Sequence, residues 1–191
     1  AAAGWQVQTH AVGDATIDAA LNAYEAVNET TPIGDLRYLA DTKLNNLATP
    51  ISKAQLAAAL ALVGDRARAE RVYGAALDAL NPKPVIEFGR VDYGSALRDA
   101  AALVSLAGEG NAPRTTLTQA VLRVEAARGL SPYTSTQENA WMVLAARALA
   151  KEGAKLMING ILPQADAEQL VADLKAEFGV EVAFSPADMT K

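Results

Sequence analysis

The stretch Tyr133-Thr-Ser-Thr-Gln-Glu-Asn-Ala-Trp-Met-Val-Leu-Ala-Ala-Arg-Ala-Leu149 carries the signals of both a helix start and a helix face. Hydroxyl side chains at 134–136 suit an N-cap, and Gln137 and Glu138 stand where a capping box returns the hydrogen bond. We expect a capped helix in which Trp141 is the buried aromatic residue at the helix interface. The apolar positions that recur at helical spacing are Ala140, Trp141, Leu144, Ala145 and Leu149.

Helical patterns of the same kind fill most of the chain before this stretch. The composition is 51% hydrophobic but only 5% aromatic, so the apolar residues are mainly Ala and Leu, which favour helices and close helix packing. Short breaks between the patterns predict antiparallel helical hairpins. The predicted helices cover residues 17–29, 35–47, 50–63, 66–80, 93–108, 114–128 and the segment around Trp141.

The pattern changes after Gly153. Residues 154–159 and 180–184 alternate like short strands, and residues 166–178 between them form an amphipathic helix. The sequence therefore predicts a mainly α fold of antiparallel helical hairpins with a small C-terminal strand-helix-strand appendage. The predicted domain organisation is an irregular segment at 1–15, a helical domain at 16–152 and the appendage at 153–191.

Charge and composition argue against several classes of function. The net charge is −5 with acidic and basic residues interspersed. The sequence therefore contains no basic stripe of the kind that binds nucleic acids. No apolar run reaches the length of a membrane span, and the first residues do not follow the pattern of a signal peptide. The chain contains no Cys, which excludes disulfides and thiol chemistry within it.

The residues that most often carry catalysis or bind metals lie in structural contexts. His10 is the only histidine and has no second ligand or nucleophile near it in sequence. The acidic residues considered as metal ligands stand at helix starts or on helix faces, where capping and surface pairing are expected. We therefore predict no catalytic residues, no metal and no cofactor. The side chains considered were Asp35, Asp41, Asp65, Asp92 and Asp99 as ligands, and Ser95, Ser105 and Ser135 as nucleophiles.

Three stretches of the chain together resemble a known family. The first two are Gly34-Asp-Leu-Arg-Tyr-Leu-Ala-Asp-Thr-Lys-Leu44 and Asp92-Tyr-Gly-Ser-Ala-Leu-Arg-Asp-Ala-Ala-Ala102, and the third is the Trp141 stretch. In this order they resemble the thioester domain of bacterial α2-macroglobulin-like proteins, over about residues 20–150. The resemblance implies part of an α/α toroid, a periplasmic location, and a parent protein that traps proteases as an endopeptidase inhibitor.

The resemblance also indicates what the chain lacks. The family's reaction uses a thioester between a Cys and a Gln in a Cys-x-Glu-Gln motif, and this chain has no Cys. The expected role is therefore a non-catalytic fragment of the trap, whose partners are proteases or other domains of the parent protein. By resemblance, the interaction or inner-surface residues are Tyr38, Tyr93, Gln137, Glu138 and Trp141.

A tetratricopeptide-like, α-solenoid binding module is an alternative from a different class. Residues 62–82 resemble one such repeat, with Gly64, Ala69, Tyr73, Ala76 and Pro82 close to its pattern positions. An array needs further copies about 34 residues apart, and residues 98–116 do not repeat the pattern. We attribute the match to tight packing within a helical hairpin.

The tail suggests a second alternative. Residues 154–191 resemble a strand-helix-strand segment of short-chain dehydrogenases of the 3-hydroxybutyrate type, most closely from Gly179 to the end. The glycine-rich cofactor turn and the Tyr-x-x-x-Lys pair of that family are missing, so no dehydrogenase activity is expected. Residues 156–160 also resemble a strand that follows the thioester domain in the α2-macroglobulin family. The boundary between the two resemblances lies around residues 150–161.

Overall fold

The computed structural model of the chain describes residues 35–80, 92, 94–128, 133–159 and 162–187. The described residues from Arg37 onward belong to one compact unit. The helix expected at 17–29, the irregular segment at 1–15 and His10 lie outside the described residues.

Helices make up most of the described chain, which confirms the mainly α class. The predicted helix at 35–47 is not uniform, because α1 continues as a π-helical turn (Leu39–Lys43) and a 3₁₀ turn (Leu44–Asn46). Asn45 and Asn46 are weak helix formers, in keeping with the early end of the regular helix. The α-helices are α1 (Asp35–Tyr38), α2 (Pro50–Leu62), α3 (Arg66–Ala79), α4 (Ala96–Glu109), α5 (Arg114–Arg128), α6 (Thr136–Lys151) and α7 (Gln164–Phe178).

Side-chain caps fix the starts of four helices. Each cap oxygen accepts a hydrogen bond from the backbone N–H three residues later, which satisfies a donor that has no partner inside the helix. At α6 the cap is reciprocal, as the sequence predicts, because Glu138 also accepts from the backbone N–H of Ser135 at 2.6 Å. The caps are Thr49 for α2, Asp65 for α3, Ser95 for α4 and Ser135 for α6.

The helices of Arg37–Lys191 pack in two layers around α4. Short turns join α2 to α3 and α4 to α5, so each pair is an antiparallel hairpin. Helix α4 packs against α2 on one side, α6 on the other and α5 behind it, while α3 contacts both α2 and α5. Helices α2, α4 and α6 therefore form one layer, and α3 and α5 form the other. Ten of the fourteen residues of α4 are buried accordingly.

Tyr73 on α3 is the largest fully buried side chain of the described residues, with 1% exposed. Its hydroxyl donates a hydrogen bond of 2.8 Å to the carbonyl oxygen of Leu106 near the end of α4. Gly110 lies against the same hydroxyl so closely that a Cβ there would overlap it. Burial, with a smaller effect of the Glu109 carboxylate, raises the pKa of Tyr73 well above its usual range. Tyr73 therefore joins the two layers as a neutral hydrogen-bond donor.

The appendage is a strand-helix-strand unit. Strands β1 (Leu156–Asn159) and β2 (Val182–Ser185) pair in parallel with Leu156 opposite Val182, and α7 makes the crossover that a parallel pair needs. Gly179 ends α7 in the left-handed conformation, with φ of 66°. An ion pair of 3.3 Å between Arg147 and Glu177 links α7 to α6.

None of the helices in the described ranges is both long enough and apolar enough to cross a membrane.

Candidate functional site

A polar cluster joins the N-termini of α4 and α6, and it contains two of the residues that the sequence singles out. The Ser95 hydroxyl, which caps α4, donates a hydrogen bond of 2.5 Å to Glu138. The same carboxylate accepts from the backbone N–H of Ser135, the cap of α6. One carboxylate therefore bridges the caps of two neighbouring helices, at an end where the helix dipole favours a negative charge.

Arg98 lies beside this bridge and is only 6% exposed. Its guanidinium donates to Asp92 at 2.6 Å, to Asp99 at 2.7 Å and to the Gln137 side-chain oxygen at 3.2 Å. Asp99 is fully buried, so the cation offsets a charge that burial alone would disfavour. The Arg98–Gln137 bond is a second link between α4 and α6. We call the set Asp92, Ser95, Arg98, Asp99, Ser135, Gln137 and Glu138 the cap cluster.

The cap cluster was only partly predicted from the sequence. The sequence places Gln137 and Glu138 in a capping box but does not predict their hydrogen bonds to Arg98 and Ser95 of the α4 end. The available signal was the Arg98-Asp99 pair inside the apolar run of α4, because charged residues in a core-facing run are expected to be paired.

Tyr38, another predicted site residue, does not join the cap cluster. Tyr38 is 51% exposed, and the Lys43 ammonium lies over its ring at 5.9 Å. Tyr93 lies outside the described residues.

The expectation that Trp141 is buried at the helix interface is wrong, because its side chain is half-buried. Helix α6 meets α4 through small residues, among them Ala145 and Ala148. A Cβ added at Gly108 of α4 would lie 2.8 Å from the Cβ of Ala148. So close an approach leaves no room for a larger side chain at Gly108.

The candidate metal ligands are engaged in ion pairs or caps. Asp41 pairs with Arg68 and Arg71, and Asp65 caps α3 and pairs with Arg68. The hydrogen bond from Arg68 lowers the pKa of Asp41 below its usual range, and burial, which raises it, offsets only part of this effect. Within the described ranges, no group of three or more His, Cys, Asp or Glu side chains is arranged to hold a metal ion. The side chain of Asp35 lies outside the description.

The bridging position of Glu138 makes a pH-dependent contribution to stability. Burial raises the pKa of this carboxyl, but hydrogen bonds from Ser135 and Ser95 outweigh burial, and the pKa lies below its ordinary value of 4.5. A carboxyl whose pKa is lowered by folding stabilises the fold above its unfolded-state pKa and loses that effect as the pH falls through the folded-state value.

We therefore expect Glu138→Gln to lower the free energy of unfolding at pH 7 and to have a smaller effect below pH 4.5. Urea unfolding followed by circular dichroism between pH 7 and pH 3 measures the difference. Glu152→Gln, at the exposed far end of α6, is the control and should show no such trend. A Glu138→Gln effect that stays constant or grows as the pH falls would contradict the bridge.

Comparison of the chain with protein-family models, curated proteins and solved structures finds no match. Function is therefore inferred from the described helices and their surfaces.

Proposed function

We propose that this chain is a non-catalytic fragment of a bacterial α2-macroglobulin-like protease trap. In this role it binds the surfaces of other proteins and does not react with them covalently. The observation that carries the proposal is an exposed apolar flank on α6. Val143 is 68% exposed and Leu144 is 40% exposed. Large apolar side chains that lie together on a surface mark interaction sites more often than isolated ones do.

The flank belongs to α6, which packs beside α4. Ala140, Val143 and Leu144 are all exposed, and Ala140 lies three and four residues from the other two, so it neighbours both on the surface of α6. Ala145 and Ala148, also on α6, are buried against the core. A protein surface placed on the exposed flank would therefore bind without disturbing α4.

The cap cluster supports a structural role for this face. It ties the N-terminus of α6 to α4 through two links, Ser95–Glu138 and Arg98–Gln137. A fixed helix presents its exposed face without a further loss of conformational entropy on binding, which favours affinity. The lack of Cys is consistent with a holding role, since a thioester cannot form within the chain.

Binding to catalytically inactive trypsin and subtilisin, immobilised for biolayer interferometry, tests the proposal. We expect saturable binding of the unchanged chain. The double variant Val143→Glu, Leu144→Glu should bind at least about tenfold more weakly, because two carboxylates would be desolvated at the contact. Leu122→Glu is the matched control, since Leu122 is 49% exposed on α5 in the other layer. Equal losses for both variants, or no binding to either protease, would count against the trap.

A tetratricopeptide-like peptide-binding module is the second candidate. It is favoured by the α2–α3 hairpin, where Ala69, Tyr73 and Ala76 are all buried at the positions that the repeat pattern assigns to packing. This module would bind a peptide and not a folded protease, so absence of trypsin and subtilisin binding together with capture of an extended peptide at the α2–α3 hairpin would favour it.

A further inference from the structure

The appendage contains a groove that neither the trap nor the repeat hypothesis uses. Its volume is about 580 Å³, within the range typical of small-molecule sites. It runs along the flank of α7 beside Phe184 of β2, and no residue of β1 lines it. The groove therefore lies on the β2 side of the appendage. Its apolar lining consists of Leu162, Ala167, Val171, Ala172, Phe184 and Pro186.

Two opposite charges border this apolar surface. Glu168 and Lys175 both line the groove and are seven residues apart on α7. Seven residues make about two helical turns, so the two side chains lie on the same side and roughly 10.5 Å apart along the axis. Glu168 accepts one hydrogen bond of 2.8 Å, from Gln164. Lys175 forms no side-chain hydrogen bond or ion pair with any of the described residues.

We propose that the groove binds a short apolar peptide of about three residues with free termini. The N-terminal ammonium lies at Glu168, the C-terminal carboxylate lies at Lys175, and the side chains pack on Val171 and Phe184. Three extended residues span roughly 10–11 Å, which matches the axial separation of the two charges.

The pair of opposite charges favours a peptide over other apolar ligands. A fatty acid would satisfy Lys175 but would leave its apolar chain beside the Glu168 carboxylate, which disfavours binding. A helical segment rises only about 1.5 Å per residue, so three helical residues would not reach both charges. A zwitterion of the right length satisfies both ends of the groove at once.

Titration of the isotopically labelled chain with trivaline, followed by amide chemical shifts, tests this site. We expect saturable shifts at Val171, Lys175 and Phe184, with a dissociation constant below about 10 mM. Val171→Glu should weaken binding at least about tenfold, because it places a charge on the apolar floor. Ala176→Glu, also on α7 but outside the groove lining, is the matched control and should bind as the unchanged chain does.

Blocked peptides identify which terminus meets which charge. Lys175→Gln should weaken trivaline and N-acetyl-trivaline by about two- to fivefold, as an exposed ion pair allows, and leave trivaline amide unaffected. Glu168→Gln should weaken trivaline and trivaline amide and leave the acetylated peptide unaffected. Absence of saturable shifts, shifts confined to residues outside the groove, unchanged binding to Val171→Glu, or dodecanoate binding more tightly than trivaline would each overturn the proposal.

Discussion

Tyr73→Ala is expected to bring the helical unit close to unfolding. The side chain is 1% exposed and its hydroxyl bonds to Leu106 across the two layers. Emptying a large aromatic site typically costs about 3–5 kcal/mol, and small domains have only about 5–15 kcal/mol of stability. Gly110 lies against the hydroxyl, so the ring fills a site closed on several sides and collapse cannot easily fill the space it leaves.

Urea unfolding followed by far-ultraviolet circular dichroism measures this loss. Tyr133→Ala is the control, because Tyr133 is 84% exposed and surface substitutions usually change stability by less than about 0.5 kcal/mol. Tyr73→Phe keeps the ring and should cost about 1 kcal/mol, the usual net value of one hydrogen bond. If Tyr73→Ala lowered the free energy of unfolding by less than about 1 kcal/mol, the usual net value of one hydrogen bond, the core would lie elsewhere.

Features set by residues close in sequence were predicted correctly. The capping box at the start of α6 depends on a few neighbouring residues, and it is present between Ser135 and Glu138. The strand-helix-strand order of the appendage also follows from local periodicity. Its parallel pairing follows once a helix separates the two strands.

Features set by contacts between distant helices were not predicted. Among the described residues the fully buried aromatic side chain is Tyr73, whereas Trp141 is only partly buried. The apolar period of α6 marks one face of a helix but does not fix how near the partner helix approaches. The links from Arg98 to Gln137 and from Ser95 to Glu138 span about forty residues, beyond the reach of local pattern.

Arg98→Ala should produce the second large loss of stability. The guanidinium is nearly buried and donates to the fully buried Asp99 and to Asp92. Removing one partner of a buried ion pair typically costs about 3–5 kcal/mol, because the remaining charge loses a compensating cation in a medium that solvates it poorly. The Gln137 link to α6 is lost as well, so the N-terminus of α6 should be destabilised with α4.

A double-mutant cycle separates charge compensation from packing. Arg98→Met retains most of the side-chain volume but leaves the Asp99 charge, so it should be nearly as unstable as Arg98→Ala. Adding Asp99→Leu removes that charge and should recover part of the loss, since apolar replacements of a buried ion pair are often neutral or stabilising. The coupling measured by urea unfolding should exceed about 1 kcal/mol, as expected for residues in one network. Arg37→Ala, whose exposed side chain pairs with Asp65, should cost far less. Additive effects at Arg98 and Asp99 would mean that the guanidinium stabilises α4 through its packed methylene groups and not through its charge.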